Sequence, residues 1–420
     1  MTKRIIIIDD DAVAREATRQ TLLQAGYDVS TFGAMSAGLE AIAQHPPDGV
    51  IFDMMMPGID GLEACRRLRQ NPDLALMKII ILSSRCFAQE RELALTLGAN
   101  AYLVKPIEPF ELTRRVDETM CGVLKLAYWG VRGTLPVAGR RSLRFGGNTS
   151  CVALTLPDGR LVIFDAGSGI YELSRSLGAS NTQRLDAMLL VSHPHWDHVN
   201  ALPFFQPLYQ AGSCIEMFVP EGSDQGAEAA LLAQMGGVHF PITSREFAAQ
   251  VRVRAISAGS FERRGLKVTA LALSHPGLCL GYRVDFGGAS VCYVTDNELF
   301  KRAGNRAAEV YMERLAQFVY GANILITDTT YSDEQYSRHV GWGHSGVSEV
   351  VELAVRGEVD ALHLFHHDPS QSDDDIAAKQ DQACILIKGR GAKVQCSAPC
   401  EGDSFEVKPI ALPKSGKIAS

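Results

Sequence analysis

The sequence is 420 residues long, too long for one ordinary hydrophobic core, so two or three domains are expected. Its formal net charge of −7 gives no general attraction to nucleic acid or to an anionic membrane, and no apolar run approaches the length needed to cross a bilayer. The ten cysteines (Cys65, Cys86, Cys121, Cys151, Cys214, Cys279, Cys292, Cys384, Cys396, Cys400) are scattered through a chain that starts directly on a strand-like run, without a charged-then-apolar export signal, and they read as reduced thiols of a cytoplasmic protein. Cys396 and Cys400 are spaced too loosely, with no second pair nearby, to read as a metal site.

In chain order, short apolar runs come first: Ile5 to Ile8, Tyr27 to Phe32, Val50 to Asp53, Ile79 to Ser83 and Ala101 to Val104, alternating with amphipathic stretches such as Ala12–Ala25 and Leu62–Gln70. Runs apolar on both faces suit a parallel sheet covered by helices on each side, and five such units predict a doubly wound, five-stranded α/β domain. In that architecture ligands sit at the carboxyl ends of the strands. Asp9 and Asp10 end the first run, Asp53 the third and Ser83 the fourth, and Lys105 follows the fifth. Three crowded carboxylates call for a divalent cation, and oxygen ligands of this kind suit Mg²⁺. An acyl phosphate on Asp53 would add roughly −1.5 to −2 charges. Lys105 and Mg²⁺ can neutralise them, and Ser83 can turn its hydroxyl toward a phosphoryl oxygen.

This constellation resembles the receiver domain of bacterial response regulators. Asp9-Asp10, the Asp53-Met54-Met55-Met56-Pro57-Gly58 run, Ser83 and Lys105-Pro106 fall where that family has its acidic pair, phosphoacceptor, switch hydroxyl and lysine, and Tyr102 matches the aromatic that swings inward on activation. The resemblance implies a receiver over residues 1–121, Mg²⁺ at its acidic site, and a sensor histidine kinase or phosphotransfer protein as phosphodonor. No helix-turn-helix or basic recognition stretch follows, so no DNA-binding domain is expected and the output lies in the remaining chain.

The last helix of the first domain is expected over about Pro109–Met120, and a strand-like run, Val123 to Tyr128, follows with no Gly/Ser-rich or Pro-rich tether. Domains joined so tightly are expected to pack on each other. Further β-type runs then appear (Cys151–Leu156, Leu161–Phe164, Ala187–Val191, Lys267–Leu273, Ser290–Val294, Asn323–Ile326, Ala361–Phe365) with helical stretches at Arg306–Tyr320 and Ser345–Arg356. This pattern suits an αββα sandwich over residues 122–410, leaving 411–420 as a polar tail.

His193-Pro194-His195-Trp196-Asp197-His198 follows the Ala187–Val191 run. Two histidines separated by one residue on extended backbone point the same way and can share one ion, whereas Asp197 and His198 lie a turn later and can reach a second. Imidazole with carboxylate suits Zn²⁺, Fe or Mn²⁺. Further candidates stand at strand ends: His275, Asp296 and His366, with His367 as an alternative to the last. In this order the set resembles the metallo-β-lactamase superfamily. The resemblance implies two divalent metals, Zn²⁺ before Mn²⁺ or Fe, with His193, His195 and His275 on one, Asp197, His198 and His366 on the other and Asp296 between them. It also implies that Asp165, in Phe164-Asp165-Ala-Gly-Ser-Gly169, orients the metal loop.

Gly130-Val-Arg-Gly-Thr134, Gly146-Gly147-Asn148-Thr149-Ser150 and His275-Pro-Gly-Leu-Cys-Leu-Gly281-Tyr282-Arg283 resemble the ribonuclease Z and cyclic phosphodiesterase branch, as does Gly343-His344-Ser345 ahead of an amphipathic helix. That resemblance implies His344 as proton donor to a departing alkoxide and Asp328 as the acid that orients it, although the family more often has Glu there; His339 is the competitor for the donor's role. Asp197 counts with His344 and Asp328 among the residues expected to carry catalysis. Transfer-RNA-processing members carry a long arm between the positions of His275 and Asp296, where this chain has room for one hairpin. With the acidic charge balance, this favours a small, cyclic nucleotide-like phosphodiester over folded RNA. The expected form is a homodimer gated by phosphorylation of Asp53. Two other readings are a dimetal hydrolase of thioesters, lactones or β-lactams, and a metal-binding signalling module without turnover. A flavodiiron-type carrier is disfavoured because that group has a carboxylate where His195 stands.

Overall fold

A computed structural model describes residues 2–74, 77–84, 87–179, 184–221, 226–237, 240–263, 265–301 and 304–408. Cys86 and the tail at 411–420 lie outside them, as does the side chain of Cys121. The other eight cysteines are free thiols. No described helix is long and apolar enough to cross a membrane. The described chain divides between Gly122 and Val123 into two compact units.

The first unit is a five-stranded parallel sheet of β1 (Arg4–Ile8), β2 (Asp28–Phe32), β3 (Gly49–Asp53), β4 (Lys78–Ser83) and β5 (Ala101–Val104), in the order β2-β1-β3-β4-β5. Both faces are buried, as the continuous apolar runs require. Ile6 and Ile8 enter one core with Phe52 and Ile81, whereas Ile5 and Ile7 enter the opposite core with Ile51 and Ile80. Helices over Ala12–Gln24, Met35–Gln44, Gly61–Gln70, Ala88–Thr96 and Pro109–Cys121 connect or follow the strands. Side-chain caps start two of them: Asp11 accepts from Val13 N at 2.8 Å and Ala14 N at 3.1 Å, and Asp60 accepts from Glu63 N at 2.8 Å.

The second unit holds two seven-stranded sheets. Its strands are β6 (Leu124–Gly130), β7 (Cys151–Thr155), β8 (Leu161–Phe164), β9 (Asp186–Leu190), β10 (Cys214–Pro220), β11 (Gln250–Ile256), β12 (Gly259–Arg263), β13 (Leu266–Ala272), β14 (Leu280–Phe286), β15 (Ala289–Val294), β16 (Ile324–Asp328), β17 (Ala361–Phe365), β18 (Gln395–Ser397) and β19 (Ser404–Val407). One sheet runs β11-β10-β9-β8-β7-β6-β19 and the other β12-β13-β14-β15-β16-β17-β18. Leu126, Tyr128 and Phe164 of the first meet Val268, Tyr282 and Tyr293 of the second in a single core. The helix Gly169–Ala179 covers the first sheet through Ile170 and Leu173, and helices Arg306–Val319, Val347–Arg356 and Asp373–Gly389 pack against the second. This is an αββα sandwich, the second half of the expected fold.

Several predicted boundaries shift for physical reasons. The helix expected from Ser345 begins at Val347, because Ser345 is engaged elsewhere: its hydroxyl donates to Asn297 O at 2.5 Å and its N–H faces Asp328. Strands β10 and β12 carry no clean alternation in sequence, whereas β11 alternates Val251 and Val253 with arginines. Buried Glu216 on β10 pairs with Arg254 of β11 and Arg263 of β12, so charge sits where alternation would expect an apolar residue. The room between His275 and Asp296 is filled by the β14–β15 hairpin.

Candidate metal centre and phosphoacceptor site

At the carboxyl edge of the first sheet, Asp9 is buried and Asp53 half-buried, and the Lys105 ammonium bridges them, 2.8 Å from Asp9 Oδ2 and in contact with Asp53 Oδ2. Burial opposes the charge on Lys105, but Asp53 and Asp9 outweigh it and raise its pKa. Asp53 Oδ1 accepts from Met55 N at 2.8 Å and Asp9 Oδ1 from Asp11 N at 2.9 Å. Asp10 is exposed at the same edge. Ser83 is buried at the end of β4, and Tyr102 lies inside, packed in the core with Ile79 and Ile81.

In the second unit the loops that leave the carboxyl ends of strands converge. His193, His195, Asp197 and His198 follow β9, His275 follows β13, Asp296 follows β15 and His366 follows β17. His195 keeps an extended backbone (φ −62, ψ 150) as the cap of the short helix Trp196–Val199, whose first turn carries Asp197 and His198. Three ligand atoms lie within 4.8 Å of one another in the trios His193/His195/His275, His193/His198/Asp296 and Asp197/His198/His366. Asp296 spans both halves. Its Oδ2 stands 3.7 Å from His193 Nε2 and from His275 Nε2, and its Oδ1 stands 3.2 Å from His198 Nε2 and 3.1 Å from His366 Nε2.

These residues suit divalent ions. The Nε2 atoms of His193 and His198 are buried and make no hydrogen bond, although both face Asp296. A buried polar atom without a partner is costly, and a metal ligand is the ordinary explanation when carboxylate and imidazole surround it. Burial, with His198 nearby, pushes His193 well below its usual range, and burial also lowers His275, leaving both neutral and able to ligate. Burial acts on His198 in the same direction, but Asp197, Asp296 and Asp165 outweigh it and lift its pKa. The pocket therefore favours positive charge.

The next ring of contacts fixes the ligand atoms. His198 donates Nδ1–H to Asp165 Oδ2 at 2.7 Å, which turns its Nε2 toward the site, and Asp165 also accepts from Ser192 N, Ser192 Oγ and Tyr293 OH. Thr134 N donates to Asp197 Oδ2 at 2.7 Å, and Gly343 O accepts from His275 Nδ1 at 3.0 Å. Gly133 lies flat against His366: a Cβ on it would stand 2.1 Å from the imidazole Cε1. His367 is turned away, with its Nδ1 3.1 Å from buried Lys379 Nζ. Among the described residues, four of the five non-glycine positions at positive φ belong to this site: Thr134 (+64), Asp165 (+59), Asp296 (+22) and His366 (+59). Such conformations cost about 1–3 kcal/mol each and gather where function demands them.

Beside the trios, His344 Nδ1 lies 2.7 Å from Asp328 Oδ2, and a His344 nitrogen lies within 4.8 Å of ligand atoms of His275 and Asp296. Asp328 is fully buried at the end of β16, where it also accepts from Asn297 N, Thr330 N and Thr330 Oγ1. Burial pulls His344 down, but Asp328 outweighs it and lifts it to about 9. His339 is not paired with Asp328; its Nδ1–H donates to Gln335 O at 2.7 Å.

Sequence reasoning missed Glu298, Tyr293, Ser192 and Gly133. Glu298 is a buried carboxylate that accepts from Gly341 N at 2.6 Å, Gly343 N at 2.8 Å and Tyr336 OH at 3.0 Å, and so pins the loop that carries His344. Its place two residues after Asp296 was the available signal.

Two family models match the chain: a response regulator receiver domain over residues 5–117 and a β-lactamase superfamily domain over residues 160–367. The response regulator MprA of Mycobacterium sp. (strain KMS) is 40% identical over 116 residues, which cover 28% of this chain and 50% of that protein. The chain thus spans about half the length of the curated relatives it matches. Among solved structures, the metallo-β-lactamase fold protein YhfI of Bacillus subtilis is 19% identical, covering 68% of this chain and 99% of that one with a TM-score of 0.49. The CheY-like receiver domain protein of Methanospirillum hungatei JF-1 is 29% identical, covering 29% and 94% with a TM-score of 0.27.

Proposed function

Because the chain is a response regulator receiver domain joined to a metallo-β-lactamase-fold domain, we propose that it is a dimetal phosphodiesterase gated by phosphorylation of Asp53, with domains over residues 1–121 and 122–410. A receiver implies a phosphodonor partner such as a histidine kinase. The observation that carries the hydrolase reading is the His344–Asp328 pair, 2.7 Å apart at the edge of the His/Asp trios.

His193, His195 and His275 would hold one ion, Asp197, His198 and His366 the other, and Asp296 would reach both. Two divalent ions held there would supply an activated water as nucleophile and offset charge on phosphoryl oxygens. Everything else falls to the chain's own groups. His344, kept protonated by Asp328, hands its Nε2 proton to the departing oxygen as the phosphorus–oxygen bond breaks. The water oxygen forms the new bond to phosphorus, and the proton it loses restores His344 through solvent. Asp165 and Gly343 O keep His198 and His275 aimed throughout.

A dedicated proton donor favours a substrate whose leaving group is a poor one, an alkoxide rather than a thiolate, and so supports a phosphodiester over a thioester. The narrow β14–β15 hairpin supports a small phosphodiester over folded RNA. Zn²⁺ is the ion that the His-rich donor set suits best, with Mn²⁺ and Fe next, and Mg²⁺ is proposed at Asp9, Asp10 and Asp53. The test is a panel of bis(p-nitrophenyl) phosphate, a thioester and nitrocefin against purified protein with elemental analysis alongside. Phosphodiester turnover with two bound ions per chain is expected. Turnover of only the thioester or nitrocefin would overturn the reading, and no turnover at full metal loading would leave a binding module.

A further inference from the structure

A row of rings leads from the metal centre to solvent. His344 stacks on His366 with centroids 5.1 Å apart and meets Tyr331 edge-on at 6.1 Å. Tyr331 stacks on His339 at 4.5 Å with 14° between the planes, and His339 meets Trp342 edge-on at 4.8 Å. The inner members are held: Tyr331 is buried and its N–H donates to Ser345 O at 3.1 Å, while His339 is tied to Gln335 O. The last member is open, for the Trp342 side chain is 62% exposed, with Val340 beside it 56% exposed.

Single exposed apolar side chains are common on protein surfaces and need no explanation. Trp342 differs in two respects. It is joined to the reaction centre ring by ring, and its backbone is fixed on both sides, because Glu298 accepts from Gly341 N and from Gly343 N. An exposed indole on a pinned loop loses little freedom when something stacks on it, the condition that makes an aromatic shelf effective. The side on which it stands is also informative. His344 gives its proton to the departing oxygen, so the leaving group lies on the His344 side of the phosphorus, the side from which the row of rings leads through Tyr331 and His339 to Trp342.

We propose that Trp342 is a stacking shelf for an aromatic base carried by the leaving group, so that the substrate is a phosphodiester whose departing alcohol belongs to a nucleoside. This rests on the phosphodiesterase reading and narrows it. Every base offers a π face, so the shelf selects for the presence of a base and discriminates weakly among bases. A cyclic nucleotide meets the requirement, since its departing alkoxide and its base share one ribose.

The experiment compares adenosine 3′,5′-cyclic monophosphate with the same ribose cyclic phosphate lacking its base, in the metal-loaded wild type, Trp342→Phe and Trp342→Ala. The wild type should prefer the base-bearing compound in kcat/KM by about tenfold or more. Trp342→Phe should keep most of that preference, and Trp342→Ala should bring the ratio close to one. A ratio unchanged in Trp342→Ala overturns the shelf while leaving the phosphodiesterase standing. Calorimetry of adenosine monophosphate against ribose 5-phosphate reads the same contact without turnover. Binding that weakens in Trp342→Ala for the nucleotide alone supports the shelf even if no phosphodiester is cleaved, and equal weakening for both ligands overturns it.

Discussion

His275 and Gly343 hold one another in place. The imidazole donates Nδ1–H to the Gly343 carbonyl at 3.0 Å, and Gly343, at φ +84, comes so close that a Cβ on it would stand 2.4 Å from the same nitrogen. Gly343 immediately precedes His344, and its own N–H is held by Glu298. The candidate metal ligand and the candidate proton donor are therefore set by one loop, and what disturbs that loop disturbs both.

Glu298 is the first place to test this. Glu298→Ala leaves the buried Gly343 N–H, the buried Tyr336 hydroxyl and the more exposed Gly341 N–H without their acceptor, and each buried loss costs about 1–3 kcal/mol. Urea denaturation should show a destabilisation of about 3 kcal/mol, and kcat on an unactivated phosphodiester should fall with it. Glu298→Gln, which keeps one acceptor oxygen, should lose less on both counts. Wild-type stability in the alanine variant would refute the loop's dependence on this carboxylate.

His344→Ala should slow cleavage of an alkyl phosphodiester by about 10²–10⁴. The loss should shrink sharply with p-nitrophenyl phosphodiesters, whose leaving group needs no proton. Equal slowing of both would show that His344 positions substrate and does not donate a proton.

The pH profile of kcat/KM should carry the mark of Asp328. Asp328 favours the protonated and active form of His344, so that form persists at low pH and activity falls as pH rises through the pKa of the pair. In Asp328→Asn the carboxylate's lift is gone while the downward pull of burial remains, so the basic limb should move to lower pH. An unmoved limb would mean that another group sets it.

Replacing Asp296 or Asp197 by Ala should abolish turnover and reduce bound metal, measured by elemental analysis. The first unit has its own sheet and its own two cores, so these variants should still bind beryllofluoride with Mg²⁺ at Asp53. Full activity in either would refute the dimetal mechanism.

Gating predicts that beryllofluoride with Mg²⁺ changes kcat/KM or the oligomeric state of the wild type, and that Asp53→Ala does not respond. Charge gained at Asp53 meets Lys105 directly and can draw Ser83 toward it. A full reversal between two states needs a bias of about 5.5 kcal/mol. Identical kinetics and sedimentation with and without beryllofluoride would separate the receiver from control of the hydrolase.

Much of both candidate sites was legible because their residues stand where runs of one pattern end. Asp53 closes the buried run Val50–Phe52, and His193 follows a strand of five residues, so position along the chain already placed each at a sheet edge. What supports them was not legible. Tyr293 reaches Asp165 across 128 positions, and its alternation in β15 reads only as core. Lys379, in the first half of the helix Asp373–Gly389, reads as a solvent residue, yet it is buried and donates to Thr329 O and Thr330 O beside the dyad. Such contacts are made by tertiary packing, which no local period records.

The distribution of the candidate ligands over the sandwich has a further consequence. His193, His195, Asp197 and His198 hang from one sheet, whereas His275, Asp296 and His366 hang from the other. The trios His193/His195/His275, His193/His198/Asp296 and Asp197/His198/His366 each draw on both sheets. An ion bound by any of these trios is thus a rivet through one rim of the sandwich, and its binding energy becomes cohesion between the two halves. A chain starved of metal should therefore keep its common core while its rim loosens, so the stability of the second unit should follow the supply of ions.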